Sequence, residues 1–284
     1  MKRTLLFLVP LALFCAGCAA HQTQMATAPA QQPPNSSVAA DSTSGADSTS
    51  TEKMAPRQQA ELRADILMAR KEFEDAIRAY DAILRTEPND AQVLNKVGVA
   101  YQQLIDLGRA ERYYKKAMHA DKTFASAVNN VGTVEYEKKH YAKAIDYYKK
   151  ALLLHSDMAA VYSNLAYAYV EDKKYPEAMD AFKNALAIDP TVFDRKGGGG
   201  TVVQQRTTTD PGLFYFFVAK SYALVGDAER AARYLKLSRD DGYKEFASAK
   251  TDPAFAKVIK DPRVQEVLTV TPSYATEPHK TSSN

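Results

Sequence analysis

The side chains best suited to metal binding and nucleophilic chemistry are histidine and cysteine, and this chain of 284 residues holds five of the first and two of the second. Both cysteines, Cys15 and Cys18, lie near the N-terminus, so the rest of the chain has no thiolate nucleophile and no cysteine ligand. The central histidines, His119, His140 and His155, share no predicted helix face at metal-ligand spacing. Neither a Gly-x-Ser-x-Gly nor a His-Glu-x-x-His motif occurs. We therefore expect no catalytic residue, metal, cofactor or small-molecule substrate, and no enzyme activity.

The N-terminal segment has the composition of a targeting signal. Residues 1–3 carry two positive charges, residues 4–14 are mostly apolar, and small residues follow up to position 20. The apolar run is too short for the roughly 20 residues that a membrane-spanning helix needs. A basic start, a short apolar run and a small-residue end are typical of a secretory signal peptide. We expect the protein to be exported.

Cys18 is the one residue for which a covalent modification is predicted. It directly follows Ala16 and Gly17, and this arrangement resembles the signal of bacterial lipoproteins. The resemblance implies removal of residues 1–17 and acylation of Cys18, which would anchor the protein in a membrane. In a Gram-negative host we expect the periplasmic face of the outer membrane. The alternative is an ordinary signal peptide that is cleaved after the cysteine.

Residues 18–56 are predicted to be a disordered tether, because they are rich in Ala, Gln, Thr, Ser and Pro and contain no aromatic residue. A coil of this length has a typical reach of about 35 Å. Without Lys2 and Arg3 the chain has 35 basic and 34 acidic residues, from the 37 and 34 of the full sequence. A net charge so close to zero indicates no nucleic-acid partner and gives no electrostatic reason for binding an anionic lipid surface.

A period of 34 residues runs through the middle of the chain. It is visible in three columns of equivalent residues over four units, 57–90, 91–124, 125–158 and 159–192. Fixed self-similarity at this length indicates stacked repeats. The columns are Ala76, Ala110, Ala144 and Ala178; Tyr80, Tyr114, Tyr148 and Phe182; and Ala64, Gly98, Gly132 and Ala166.

Each unit is predicted to form two helices, because its apolar residues recur at spacings of three and four. In the unit 91–124 we place the turn between the two helices near Leu107 and Gly108. The small residues would allow close approach of the two backbones, and the aromatic column would fill the space between neighbouring units. Neither helix pair can bury its apolar face alone, so stability must come from stacking.

These features resemble the tetratricopeptide repeat family, and the unit 159–192 carries the pattern best. The resemblance implies an all-α fold, a right-handed superhelix of helix-turn-helix repeats. The residues of 159–192 that match the family pattern are Tyr162, Leu165, Ala166, Tyr169, Tyr175, Ala178, Phe182, Ala185, Asp189 and Pro190.

A fifth repeat-like unit is predicted at 212–245, after an inserted Gly/Thr-rich loop at 193–211. The loop either contacts a partner or serves as a mobile spacer, and it lacks the Gly-Lys-Ser/Thr that a phosphate-binding loop needs. Asp252-Pro253 and Asp261-Pro262 predict short helices within 246–270, which would cover the end of the stack. Residues 271–284 are predicted to be disordered.

In the resembled family the first helix of each unit lines a groove that holds an extended peptide or a partner helix. Asparagine can pair with a peptide backbone through its donor and its acceptor, or it can simply serve helix packing. We expect the chain to be a membrane-anchored scaffold that binds another envelope protein in assembly, secretion or pilus-type machinery. The alternative is an accessory subunit that binds cell-wall polymer or presents substrate to a separate enzyme. The matching groove positions are Gln92, Asn95, Lys96, Val99, Gln103, Asn129, Asn130, Thr133, Glu137, Asn164, Tyr167 and Glu171.

Overall fold

The computed structural model describes residues 54–194 and 208–269, and the regular elements of these residues are all helical, as predicted. The predicted signal peptide, Cys18 and the tail 271–284 lie outside the described residues, as does most of the predicted tether. None of the described helices has both the length and the apolar character needed to cross a bilayer. The α-helices are α1 (Pro56–Ala69), α2 (Phe73–Leu84), α3 (Ala91–Gln103), α4 (Leu107–Ala120), α5 (Ala125–Glu137), α6 (Tyr141–Leu154), α7 (Ala159–Glu171), α8 (Tyr175–Ile188), α9 (Pro211–Val225), α10 (Ala228–Asp240) and α11 (Pro262–Thr269).

The helices from α1 to α8 form four consecutive pairs, and each helix packs against the next one along the chain. A single residue in the left-handed region closes the turn within each pair. These residues are Lys71, Ile105, Lys139 and Lys173, with φ between 59° and 64°, and they repeat every 34 residues. Gly226 has the same role between α9 and α10, with φ of 85°. A side chain with a β-carbon is strained in this conformation, so four of the five turns carry a conformational cost.

The turn in the second pair lies earlier than the sequence pattern predicts. Leu107 and Gly108 are already the first residues of α4. The Asp106 side chain accepts a hydrogen bond from the backbone N–H of Arg109 (2.9 Å) and so caps the helix. The predicted turn was displaced because a glycine in the first turn of a helix looks like a turn residue in the sequence.

The three repeat columns meet inside each helix pair. The alanine column and the aromatic column are buried in all four pairs. A β-carbon placed on Gly98 would lie 2.6 Å from Cδ1 of Tyr114, and one placed on Gly132 would lie 2.8 Å from Cε1 of Tyr148. The aromatic ring therefore packs on the first helix of its own pair. This contact corrects the prediction that the ring mainly fills the space between neighbouring units.

Successive first helices meet in a constant register. Asn130 donates to Asn95, Asn164 donates to Asn129, and Lys96 pairs with Glu61, and each pair is 35 residues apart. A residue therefore contacts the position one beyond its own equivalent in the neighbouring unit. This register aligns the starts of α1, α3, α5 and α7, which run parallel to one another.

The fifth helix pair enters the structure in the opposite sense. The hydroxyl of Thr209, just before α9, donates to Glu171 at the end of α7, whereas the regular register would place it beside the start of α7. Tyr222, near the end of α9, donates to the carbonyl of Pro190, which follows the end of α8 (3.1 Å). Helix α9 is therefore antiparallel to α7 and parallel to α8. The expected unit at 212–245 is a helix pair, but it does not continue the stack in the repeat's orientation.

The segment after α10 covers apolar side chains with short helices. A 3₁₀ helix at Phe246–Lys250 comes first, and the helix predicted after Asp252 is also a 3₁₀ helix, Pro253–Phe255, rather than an α-helix. Asp252 caps it by accepting from the N–H of Ala254 (2.9 Å). Phe255 in this segment and Val264 in α11 are fully buried. Their burial against α9 and α10 ties the C-terminal helices to the fifth pair.

The contact between glycine and aromatic ring predicts opposite effects for one substitution at two sites. We expect Gly98→Ala to lower the free energy of unfolding by about 1–3 kcal/mol, because the new methyl group overlaps the buried Tyr114 ring. Gly108→Ala is the matched control, because its β-carbon would find no atom closer than 3.8 Å. That variant should raise the free energy of unfolding by up to about 1 kcal/mol, because alanine favours the helix more than glycine does. Urea denaturation measures both, and equal effects would contradict the packing argument.

The left-handed turn residues give a second prediction. Ile105 is β-branched, has a φ of 62° and is 80% exposed, so it gains little from packing. Ile105→Gly should raise the free energy of unfolding by about 1 kcal/mol, because glycine adopts this conformation without strain. Gly226→Ala at the matching turn should lower it by a similar amount. Thermal unfolding of both variants tests the prediction, which fails if Ile105→Gly is destabilising.

Candidate functional site

The first-helix surface, formed by α1, α3, α5 and α7, carries the residues predicted to line a groove. Four of them form a chain of side-chain amides. Asn164 donates to Asn129 (3.0 Å), Asn129 donates to Asn130 (3.1 Å), and Asn130 donates to Asn95 (2.9 Å). The asparagines therefore bind one another first, across three helices. Each amide still has a second N–H, and the half-buried Asn95 and Asn130 can offer theirs to a ligand.

Four of the twelve predicted groove residues are buried, and Asn129 is one of them, at 8% exposed. Thr133 is 3% exposed, and its hydroxyl donates to the carbonyl of Asn129 (3.3 Å). Asn164 is fully buried, and Tyr167 is 1% exposed because the ring of Phe214 stacks on it with 3.7 Å between ring centroids. These four side chains are therefore not accessible to a partner in this structure. The reversed α9, which the repeat pattern could not anticipate, covers Tyr167.

Lys96 is engaged within the protein rather than free for a partner. Its ammonium lies 2.8 Å from carboxylate oxygens of both Glu61 and Asp65 on α1. The hydrogen bond from Lys96 holds the pKa of Glu61 below its usual range. Lys96 therefore ties the first two helix pairs together through a pair of charge-assisted hydrogen bonds. The repeat pattern of the sequence does not reveal these partners, because α1 departs most from that pattern.

A second buried network positions Glu137 at the end of α5. The Tyr114 hydroxyl donates to Oε1 of Gln102 (2.6 Å), and Nε2 of Gln102 in turn donates to the Glu137 carboxylate. Burial raises the pKa of Glu137, and the hydrogen bond from Gln102 opposes part of that shift. Glu137 is thus a partly desolvated carboxylate with a fixed orientation. Such a group gains from any further N–H donor that reaches it.

Glu171 occupies the same repeat position one unit later, and it already binds such a donor. Oε1 accepts from the hydroxyl of Thr208 (2.6 Å) and from the backbone N–H of Thr209 (2.7 Å), and Oε2 accepts from the Thr209 hydroxyl (2.7 Å). The end of the inserted loop therefore sits on the first-helix surface at α7. Thr208 and Thr209 lie within the inserted loop predicted at 193–211, just before the helix start at Asp210-Pro211.

The part of the first-helix surface that stays accessible lies on α3 and α5. Gln92 and Gln103 are exposed, and Asn95, Val99, Asn130 and Glu137 are half-buried. This region offers amide donors and acceptors, one carboxylate and one apolar contact, which are the groups that an extended peptide backbone pairs with. No three His, Cys, Asp or Glu side chains come together as a metal site in residues 54–194 and 208–269.

Known protein families and structures show the same architecture. Two profiles, both described as tetratricopeptide repeat, match residues 62–123 and 123–191. No curated protein sequence matches the chain at a significant level. Among solved structures, MamA is 23% identical, with a TM-score of 0.44 over 64% of this chain and 95% of that chain.

Two further structures are similar at lower identity. PilF of Pseudomonas aeruginosa is 19% identical, with a TM-score of 0.50 over 75% of this chain and 86% of its own. YrrB, described as a tetratricopeptide repeat protein with an unusual peptide-binding site, is 18% identical, with a TM-score of 0.44 over 68% and 91% of the two chains. At these identities the similarity concerns the fold alone. The repeat columns, the helix pairs and the matching profiles together show that residues 62–191 of this chain are tetratricopeptide repeats.

Proposed function

We propose that this chain is a membrane-tethered adaptor that holds an extended segment of another envelope protein on the accessible part of α3 and α5. Tetratricopeptide repeats are in general non-catalytic scaffolds that bind proteins. The polar groups of α3 and α5 match a peptide backbone better than they match an apolar helix face. This surface therefore binds mainly the backbone of the partner peptide. The side chains of the partner add further contacts at the edges.

One observation carries this proposal. On α7 the carboxylate of Glu171 accepts the backbone N–H of Thr209 at 2.7 Å, so the first-helix surface already binds a non-helical stretch of main chain. Glu137 is the equivalent residue of the preceding unit, and Gln103 is the equivalent one unit earlier. The chain thus displays, within itself, the interaction that we assign to a partner at the two preceding units.

The electrostatics of Glu137 favour the same interaction. Burial raises its pKa, so the ionised carboxylate lacks hydration that it would have in water. A peptide N–H that donates to it restores part of this stabilisation without the cost of moving the side chain, because Gln102 already holds the carboxylate. Binding at Glu137 therefore combines a charge-assisted hydrogen bond with a prepared geometry.

The tether is the second part of the proposal. Ala16, Gly17 and Cys18 after a short apolar run favour acylation of Cys18, and residues 18–56 separate that site from the start of α1. An acyl anchor with a tether of this composition would keep the repeats within roughly 35 Å of the membrane. We therefore propose export and lipid anchoring, at the outer membrane in a Gram-negative host, with a role in assembly, secretion or pilus-type machinery.

Glu137→Gln tests the binding mode. Peptides selected from a random library on the purified chain should bind this variant at least about tenfold more weakly, because a hydrogen bond to a charged acceptor is replaced by a neutral one. Glu177→Gln is the matched control on α8, where Glu177 is exposed. Isothermal titration with the same peptides should give unchanged affinity for this control. Undiminished binding to Glu137→Gln would contradict the proposal.

The same variant has an expected effect on stability that separates lost binding from lost folding. Because burial raises the pKa of Glu137, the folded state binds this proton more tightly than the unfolded state does. Its contribution to stability is present at low pH and is lost as the pH rises through the raised pKa. Glu137→Gln should therefore be at least as stable as the parent at pH 7, with a flatter stability curve in the weakly acidic range.

Cys18→Ser tests the anchor. In the native host the parent protein should sediment with membranes, and the variant should be found in the soluble envelope fraction, because a serine hydroxyl does not accept the thioether-linked lipid. Cys15→Ser is the control and should remain with the membranes. Membrane fractionation of Cys18→Ser at the level of the parent would contradict the lipid anchor and leave the binding mode unaffected.

A further inference from the structure

The outward face of α4 is a stripe of positive charge. Arg112, Lys115 and Lys116 carry the charge, since Arg112 lies three and four residues before the two lysines, and His119 follows one turn later on the same face. All four side chains are exposed. Like charges at these spacings destabilise a helix by a few tenths of a kcal/mol per pair. The stripe therefore costs stability, and the repeat fold alone does not require it.

The equivalent positions on the second helices of the other three repeats are not uniformly basic. Each of them contains an aspartate, and none of them has more than two basic residues. On α6, the only other helix with two lysines in the stripe, the aspartate lies one turn from both. The equivalent residues are Arg78, Asp81, Ala82 and Arg85 on α2; Asp146, Lys149, Lys150 and Leu153 on α6; and Asp180, Lys183, Asn184 and Ala187 on α8. The absence of an acid is a property of α4 and not of the repeat.

Two neighbouring surface cavities, of about 550 and 220 Å³, join the stripe to further cations. Both are lined by Lys115 and His119, and the smaller one adds Lys122 and Lys150. In the described part of the chain, Glu111 is the only carboxylate that pairs with any of these side chains, through Lys115. Burial raises the pKa of Asp81, and the nearby charges of Arg85 and Lys116 oppose part of that shift. Asp81 forms no ion pair with Lys116 among the described residues. Arg112 and Lys116 therefore have no ion pair with a carboxylate in the described residues, whereas Lys115 pairs with Glu111 and Lys150 has Asp146 one turn away.

Exposed leucines lie beside these cations. Leu153 and Leu154 follow Lys150 by three and four residues on α6, so they lie on the same side of that helix. Leu153 is 87% exposed, which is more than any other large apolar side chain in the described residues. Cations together with protruding leucines are the combination that binds the interface of an anionic membrane, where headgroups meet acyl chains.

We infer that the α4/α6 surface, defined as Arg112, Lys115, Lys116, Lys122, Lys150 and Leu153, docks on anionic phospholipid headgroups. Charge complementarity favours this occupant, and Leu153 distinguishes it from a soluble acidic protein segment, which offers no apolar layer to enter. The surface belongs to second helices, whereas the accessible part of α3 and α5 belongs to first helices. Lipid docking would therefore leave the proposed peptide site open, and neither inference depends on the other.

Vesicle cosedimentation tests this inference with residues 19–284, which lack the predicted signal peptide and Cys18 but keep every described residue, so that neither the apolar run nor an acyl chain contributes. Binding to equal parts of phosphatidylglycerol and phosphatidylcholine should exceed binding to phosphatidylcholine alone, and added salt should weaken it. Each surface cation contributes about a fivefold gain in affinity, so Arg112→Gln with Lys116→Gln should weaken binding about 25-fold. Leu153→Ser should weaken binding and leave its salt dependence unchanged.

The matched control is the double variant Lys183→Gln with Lys236→Gln, which removes the same charge from exposed positions on α8 and α10. It should bind the anionic vesicles like the parent. An equal loss in the control, or equal binding to both kinds of vesicle, would overturn the inference, because net charge or general stickiness would then explain the binding. Binding to soluble polyglutamate without binding to vesicles would assign the surface to an acidic protein instead, and circular dichroism verifies that every variant is folded.

Discussion

In the second and third repeats the two helices approach until an aromatic ring of the second helix lies on a glycine of the first, where a β-carbon does not fit. The first and fourth repeats have the small residues Ala64 and Ala166 at this position. Tyr114 on Gly98 and Tyr148 on Gly132 show this contact directly. It fixes how far apart the helices lie and which faces remain for the neighbouring unit. Because interiors are packed as densely as organic crystals, this one distance propagates from pair to pair. The polar groups of the first helices then meet at a constant offset, which is why the chain of four asparagine side chains can bridge three helices.

That register gives the first-helix surface a double character. Most of its polar groups are consumed in holding the stack together, as Lys96 is by Glu61 and Asp65. A ligand can use only the hydrogen-bonding positions that remain on groups already held in place, such as the Glu137 carboxylate, which accepts a hydrogen bond from Gln102. A surface of this kind loses little conformational entropy when it binds, because the ordering has been achieved during folding. Stability and recognition therefore use the same side chains here.

The sequence alone predicts the helical class, the four pairs and the buried columns, because each follows from a period that repeats four times. It also predicts the first-helix position of the groove residues through the family resemblance. It does not predict which of those residues are free, because pairing partners such as Asp65 and covering residues such as Phe214 lie in the least regular units. The net charge of the chain does not reveal the basic face of α4. Net charge sums over the whole chain, whereas Arg112 and its neighbours act over a distance of about 10 Å.

The reversed fifth pair has a consequence for assembly. A run of identical hairpins is open-ended, and each free end is a template on which another molecule could add in the same way, without limit. Turning α9 antiparallel to α7 destroys that template at one end, because the next hairpin would meet a surface of the wrong polarity. Thr209 on Glu171 and Tyr222 on Pro190 clamp this arrangement at both ends of α9. The reversed pair of α9 and α10 therefore ends the repeat stack and prevents growth into fibres from that side.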